Sequence, residues 1–162
     1  MAKEKQESHA GMSESEMRSN LIRLAFHGDE RQLDEFCRVL VEALPADTAA
    51  VLRGSSVTGC SHDGEPFDAN GPGTSDLDLT LVGGEVLHWF APEGFYIPGA
   101  HSKPLSDKDP DISPQLVPLR KRLSAMVGRP VNIQGTRDWV IFVREHLMNQ
   151  PSLTLIGKLA PT

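Results

Sequence analysis

The first third of the chain places apolar residues at helical spacing. From Ser13 onward they recur at intervals of three and four residues, which predicts an amphipathic helix. Gly28 interrupts this pattern, and Asp29 is a suitable N-cap for a second helix that Pro45 ends. The stripe positions are Met17, Leu21, Leu24 and Ala25 in the first helix and Leu33, Phe36, Cys37, Leu40 and Leu44 in the second. Because Cys37 belongs to such a stripe, we expect a buried structural thiol there rather than a reactive one.

Four shorter segments have the character of strands. Thr48–Arg53 is an apolar run that stops at a glycine, which predicts a buried strand. In Leu77–Val82 leucines alternate with Asp and Thr, so one face of this strand is apolar and the other is polar. Val131–Gln134 alternates in the same way, and Ser152–Ile156 is predicted to be an edge strand.

Two further helices are predicted in the second half of the chain. Pro114–Val127 carries an apolar stripe, and its residues Arg120, Lys121 and Arg122 are expected to point mostly outward. The apolar and aromatic positions of the last helix are Trp139, Val140, Phe142, Val143, His146 and Leu147.

Two turn-rich stretches separate these elements. Ser61–Gly73 is crowded with turn-forming residues, and Gly83–Ser113 contains two possible short strands, Glu85–Phe90 and Gly94–Ile97. Together the elements predict an α/β (α+β) fold in which a small mixed sheet carries helices packed on one face.

Length and composition indicate one domain. The 162 residues suffice for a single core, which we place in residues 13–162, behind a flexible polar tail of residues 1–12. Hydrophobic residues make up 39% of the chain, yet no run of eighteen apolar residues would span a membrane. The N-terminus has no apolar run typical of a secretory signal, and two cysteines make no disulfide framework. We therefore expect a cytoplasmic protein.

Charge is distributed unevenly along the chain, whose net charge is −6. Residues 1–60 carry 7 basic and 10 acidic residues (net −3), residues 61–111 carry 2 and 10 (net −8), and residues 112–162 carry 7 and 2 (net +5). The overall sign argues against a general nucleic-acid coat protein. An acidic middle followed by a basic end suits a ligand that combines metal ions with phosphates. Alternatively, the two segments attract one another or face solvent.

The candidate chemistry lies between Val51 and Val82. The first strand ends in Arg53-Gly54-Ser55-Ser56, where a glycine allows close backbone approach and two serines offer hydroxyl and amide groups to phosphate oxygens. The next strand is preceded by Ser75 and carries Asp76 and Asp78, which are two residues apart and therefore project from the same face. Arg53 is the basic residue best placed for a phosphate contact, while residues 120–122 and Arg129 are weaker candidates.

Two neighbouring carboxylates suit a divalent cation. Mg²⁺ prefers oxygen ligands, usually one or two carboxylates together with phosphates and waters. Paired metals at such sites clamp the attacking and leaving oxygens of a displacement at phosphorus. Because Asp76 and Asp78 would repel one another when bare, the pair is better explained with Mg²⁺ or Mn²⁺ bound.

This arrangement resembles the DNA polymerase β-like nucleotidyltransferase superfamily. The resemblance rests on a strand followed by Gly54-Ser55, and on Asp76-Leu77-Asp78-Leu79 at the next strand. It covers about half the chain, roughly Val51 to Gln134, and implies an NTP substrate, a divalent metal on the two aspartates and phosphate contacts at the glycine-serine pair.

The sequence departs from the family pattern in two places. Twenty residues lie between Ser55 and Asp76, more than is usual, which indicates a surface insertion beside the site. The family's third carboxylate, on the strand after the next helix, is replaced by Asn132, whose amide is a weak neutral ligand and cannot act as a base.

Three interpretations of Asn132 are open. One of the acids Asp107, Asp109, Asp111 or Asp138 completes the site, or one firmly held metal suffices, or the domain binds nucleotide without turning it over. The resemblance therefore predicts either transfer of a nucleoside monophosphate to a hydroxyl of a small molecule, protein or RNA, with release of pyrophosphate, or a non-catalytic nucleotide-binding or regulatory module. At this length, a homodimer or a partner chain would supply the acceptor surface.

Overall fold

The computed structural model describes residues 12–61, 63–143 and 150–159. Its helices are α1 (Glu14–Ala25), α2 (Glu30–Ala43), α3 (Ser55–Thr58), α4 (Gly84–Leu87), α5 (Val117–Val127) and α6 (Trp139–Phe142), with a 3-10 turn at Pro92–Gly94. Its strands are β1 (Ala49–Arg53), β2 (Leu77–Val82), β3 (Phe95–Ile97), β4 (His101–Ser102), β5 (Val131–Thr136) and β6 (Ser152–Ile156). The predicted mixed α+β fold class is confirmed.

The six strands form one mixed sheet in the order β3-β4-β5-β2-β1-β6. β2 lies near its centre, antiparallel to β1 and parallel to β5. The register sets Arg53 of β1 opposite Asp78, and Asp78 opposite Asn132 of β5. The motif residues of three separate segments are therefore neighbours across the sheet.

The predicted first two helices are confirmed, as is the cap of the second at Asp29, and the structure adds Ser13 as the cap of the first. The Ser13 side chain accepts from the Glu16 backbone N–H, and the Asp29 side chain accepts from that of Arg31. Their apolar stripes belong to the main core, where Cys37 is half-buried, and burial raises the pKa of its thiol. A raised pKa disfavours the reactive thiolate, in agreement with a structural role.

The core lies on one face of the sheet. Strand residues such as Leu52, Leu79 and Ile133 are fully or almost fully buried and share one apolar cluster with the stripes of α1, α2 and α5. The opposite faces of β1, β2 and β5 carry the polar side chains, as strand alternation requires. The fold thus leaves the face that bears Asp78 for the candidate site.

Several predicted boundaries shift. The helix expected from Pro114 begins at Val117 and has Pro118 in its first turn, where a missing N–H costs no hydrogen bond. The possible strand Glu85–Phe90 is wrong, because this segment forms α4 and a following turn. Its apolar residues pack over Gly135, where an added Cβ would lie 2.8 Å from the Phe90 ring.

The ends of the chain are only partly covered. The expected tail lies outside the described residues except for Met12, which packs against the core. The last predicted helix is described only as α6 and Val143, and His146 and Leu147 fall outside the described residues. Among the helices of the described ranges, none combines the length and apolar character needed to cross a bilayer.

Candidate functional site

The site begins at the bend where β1 passes into α3. Gly54 has φ 91° and ψ −163°, a conformation that side chains strongly disfavour. A Cβ added at Gly54 would lie 3.3 Å from Oδ2 of Asp78. The bend and the Asp78 carboxylate are therefore direct neighbours, as the motif predicts.

Asp76 and Asp78 meet at the amide of Asn132. Asp76 is exposed and stands immediately before β2, and its Oδ2 accepts from Nδ2 of Asn132 at 2.5 Å. Asn132 also acts to lower the pKa of the half-buried Asp78 carboxylate, which lies opposite it across the sheet. One amide group thus bonds Asp76 and neighbours Asp78, although Asp76 precedes the strand on which it was expected.

The electrostatics of Asp78 differ from those of an ordinary surface carboxylate. Burial raises the pKa of Asp78, and the charge of Asp76 adds to this effect, whereas Arg53 and Asn132 act in the opposite direction. The net shift is upward, so the ionised carboxylate lacks full compensation. A bound cation would supply that compensation.

Arg53 is the cation that faces Asp78. Its Nη2 donates to Oε1 of Gln134 at 3.0 Å and its Nε lies 3.5 Å from Oγ1 of Thr80. The ring of Phe142 lies 6.0 Å from the guanidinium. Arg53 is therefore held over the polar face of the sheet beside the carboxylates, and its role as a phosphate contact stays a prediction.

The orientation of the Asn132 amide bears on metal binding. With its Nδ2 directed at the carboxylates, its Oδ1 lies 3.5 Å from Nη2 of Arg120. Arg120 is mostly buried, and its Nε donates to the Val131 carbonyl at 2.9 Å, so the expected outward orientation of Arg120 is wrong. Because this amide oxygen faces a guanidinium, it is not directed toward a cation held by the two aspartates.

Of the four acids considered as a third carboxylate, the structure links one to this site. Asp107 accepts from Nη2 of Arg120 at 3.1 Å, which connects it to Asn132 through one side chain. Asp138 follows the far end of β5, about 20 Å from Asn132 at the rise of an extended strand. In the described part of the chain, no group of three or more His, Cys, Asp or Glu is arranged for a metal ion.

The insertion before Asp76 contains a second polar cluster that the sequence did not predict. Asp68, Ser75 and Arg129, which we call the clasp, are joined by hydrogen bonds that include a two-pronged Arg129–Asp68 contact at 2.7 and 3.0 Å. The Arg129 guanidinium also lies 4.4 Å from the ring of Phe67. The weaker prediction that Arg129 reaches phosphate is therefore not supported, because its charge is paired.

The three remaining predicted contacts, all serines, lie at the edges of the site. Ser55 starts α3 directly after the bend, and Oγ of Ser56 is buried with no hydrogen-bond partner among the described residues. The Ser75 hydroxyl accepts from the Asp68 backbone N–H, so it serves the clasp. The uneven charge layout is accounted for in part, since Arg120 and Arg129 of the basic end pair with Asp107 and Asp68 of the acidic middle.

The fold and the site together define a mixed α+β protein with two carboxylates at a glycine-serine bend. Comparison with known proteins gave no matching family model, no matching curated protein and no matching solved structure. A functional assignment therefore depends on the geometry of the motif residues.

Proposed function

We propose that this protein is a Mg²⁺-dependent nucleotidyltransferase that moves a nucleoside monophosphate from an NTP to a hydroxyl acceptor and releases pyrophosphate. The observation that carries the proposal is the contact at the bend. The Asp78 carboxylate lies next to Gly54, and Asp76 is held beside it by Asn132. This arrangement provides oxygen ligands for Mg²⁺ next to a glycine bend of the kind that binds phosphate groups.

The donor set is suitable for Mg²⁺ or Mn²⁺. Asp76 and Asp78 would hold the ion, which when bound neutralises phosphate charge and orients the reacting groups. The raised pKa of Asp78 supports this assignment, because a carboxylate that is costly to ionise alone gains most from a nearby cation.

The chain's own residues would bind the substrate. The bend at Gly54 and Ser55 would hold the β- and γ-phosphates, and the unpartnered hydroxyl of Ser56 is a spare donor close to it. Arg53, beside Asp78, adds positive charge on the same face of the sheet. Asn132 cannot accept a proton, so the acceptor hydroxyl would lose its proton to water or to an acid such as Asp107.

A transfer assay tests the proposal. The full chain is incubated with each α-labelled NTP, Mg²⁺ or Mn²⁺ and a panel of hydroxyl acceptors, and label transfer and pyrophosphate are measured. We expect activity that Asp76→Asn removes and that Glu93→Gln, a change at an exposed acid of the 3-10 turn, leaves intact. Wild-type protein without Mg²⁺-dependent NTP binding would refute the proposal.

A second function is favoured by the Asn132 amide. Its nitrogen donates to Asp76 and its oxygen faces Arg120, so in this orientation the third position supplies neither a base nor a metal ligand. A nucleotide-binding or regulatory module without turnover would have such a site. Saturable NTP binding with no transfer to any acceptor would identify this module.

Other features of the proposal come from the sequence alone. The cytoplasmic location, the acceptor surface from a homodimer or partner chain, and the choice of a small molecule, protein or RNA as acceptor stay predictions.

A further inference from the structure

The clasp is a densely bonded cluster in the insertion loop. Asp68, at φ 60°, accepts at Oδ1 from Nη1 of Arg129 (2.7 Å) and the Ser75 backbone N–H (3.0 Å). At Oδ2 it accepts from Nη2 of Arg129 (3.0 Å) and the Gly73 backbone N–H (3.3 Å). Each carboxylate oxygen therefore has two donors.

Ser75 is held at three atoms by this cluster. Besides the N–H bonded to Asp68, its hydroxyl accepts from the Asp68 N–H at 2.8 Å, and its carbonyl accepts from Nη1 of Arg129 at 2.8 Å. The loop is also pressed against the turn after α5, because a Cβ added at Gly73 would lie 3.2 Å from the Gly128 carbonyl oxygen.

The restrained residue directly precedes a candidate metal ligand. Asp76 is exposed and lies outside β2, and the peptide group after it is held by the Leu77 N–H, which donates to the Pro130 carbonyl at 3.0 Å. The peptide group that joins it to Ser75 has its carbonyl bonded to Arg129, whose side chain is only 8% exposed. The direction in which the Asp76 side chain leaves the backbone is thus set by the clasp on one side and by the Leu77–Pro130 hydrogen bond on the other.

We propose that Asp68 and Arg129 are positioning residues that aim the Asp76 carboxylate at Asn132 and Asp78, an inference that builds on the proposed function. The insertion is then a support for the metal-binding edge of the site. Positioning groups one step behind metal ligands commonly change metal affinity by about 10–100-fold when removed.

Nuclear magnetic resonance of the full chain tests this inference with and without metal. The first readout is the side-chain amide signal of Asn132, whose Nδ2–H bonds Asp76. The second is the Mn²⁺ concentration that broadens this signal. In Asp68→Asn we expect the amide signal to move toward that of a free amide and the Mn²⁺ affinity to fall by about 10–100-fold.

The matched control is Arg38→Gln. Arg38 also makes a two-pronged contact with a carboxylate, that of Glu35, but on the exposed surface of α2. It should leave both readouts unchanged. If Asp68→Asn does not fold, Arg129→Lys carries the same test, because one ammonium cannot reproduce both contacts to Asp68 and the one to Ser75.

The outcomes separate the two proposals. A wild-type protein that binds no Mn²⁺, even with NTP, would count against the proposed function, and the Asn132 amide signal would then decide the positioning inference alone. A folded Asp68→Asn or Arg129→Lys protein with an unchanged Asn132 signal would overturn the inference, whatever the metal affinity.

Discussion

Asp68 and Asp78 are two half-buried carboxylates near arginine side chains, yet their pKa values move in opposite directions. The Arg129 guanidinium is the main cause that lowers the pKa of Asp68 to about 2, and the Ser75 and Gly73 amides assist it against burial. For Asp78, burial is the main cause and raises the pKa, although Arg53 acts against it. The extent of burial alone therefore does not explain the opposite pKa shifts of Asp68 and Asp78.

The difference lies in how completely each carboxylate is bonded. Asp68 has two donors at each oxygen, so its charge stabilises the folded state, whereas Asp78 faces a second carboxylate and its charge costs stability. The comparison teaches that both oxygens of Asp68 are bonded within the chain, although Nε of Arg129 is buried without a hydrogen-bond partner among the described residues, whereas the charge of Asp78 is not fully compensated. Incompletely compensated carboxylates of this kind concentrate at functional sites.

The largest expected effect comes from neutralising Asp78. Asp78→Asn should lower NTP transfer by at least about 10³-fold, equivalent to about 4 kcal/mol of barrier, because it removes a proposed metal ligand. At pH 7 its melting temperature should equal or exceed that of the wild type. A raised pKa means that ionisation destabilises the fold as pH rises above the ordinary value near 3.8, and the variant lacks this cost.

The matching control for this prediction is Glu93→Gln at an exposed acid, which should change neither transfer nor melting temperature. A stabilised Asp78→Asn protein with full transfer activity would show that Asp78 has no role in the transfer reaction. A strongly destabilised one would show that Arg53 already compensates its charge.

The second expected effect is structural. Arg129→Gln should lower the free energy of unfolding by about 3 kcal/mol, because it leaves the charge of Asp68, whose side chain is 22% exposed, without its main partner. Arg38→Gln, which breaks an exposed pair with Glu35, should cost much less, because solvent screens that pair. Urea denaturation of both variants measures the difference, and equal costs would contradict the stabilising role of the Asp68–Arg129 pair.

The parts of this molecule that sequence alone predicted are those governed by local periodicity. The stripes of α1 and α2, the start of the first helix at Ser13, the cap Asp29 and the alternation in β2 follow from the local sequence, and all are confirmed. The same spacing put Asp76 and Asp78 on one side, next to the Gly54 bend.

The clasp and the Asn132 contacts could not be predicted from local residue spacing, because they join segments that are distant in the sequence. Asp68 and Arg129 are 61 residues apart, and nothing in their local sequences indicates a partner. Arg120 looked like part of a solvated basic face, yet its guanidinium turns inward to the Val131 carbonyl. The short helix α4 was missed since its apolar residues dock on Gly135, a tertiary effect that overrides strand propensity.

The third expected effect tests the bend between the two regions. Gly54→Ala should lower the free energy of unfolding by about 2–3 kcal/mol, because a side chain is strained at this φ and ψ and its Cβ would crowd Asp78. Gly28→Ala is the matched control, with φ 74° and open space, and should cost about 1 kcal/mol. We also expect weaker Mn²⁺ binding in Gly54→Ala alone. Equal losses of stability and equal Mn²⁺ affinities in the two variants would show that Asp78 does not depend on the bend.

The smallest expected effect is the pH dependence of the clasp. Because the pKa of Asp68 is lowered to about 2, its ionisation stabilises the fold above the ordinary value near 3.8, and this contribution is lost as pH falls toward 2. Asp68→Asn should therefore be about 1–2 kcal/mol less stable than the wild type at pH 6, after allowance for solvent screening, and nearly equal to it at pH 2. Asp78→Asn should show the opposite sign, with an advantage at pH 6 that disappears in acid. Denaturation curves at both pH values measure these differences, and a common sign for the two variants would mean that the carboxylates are equivalent.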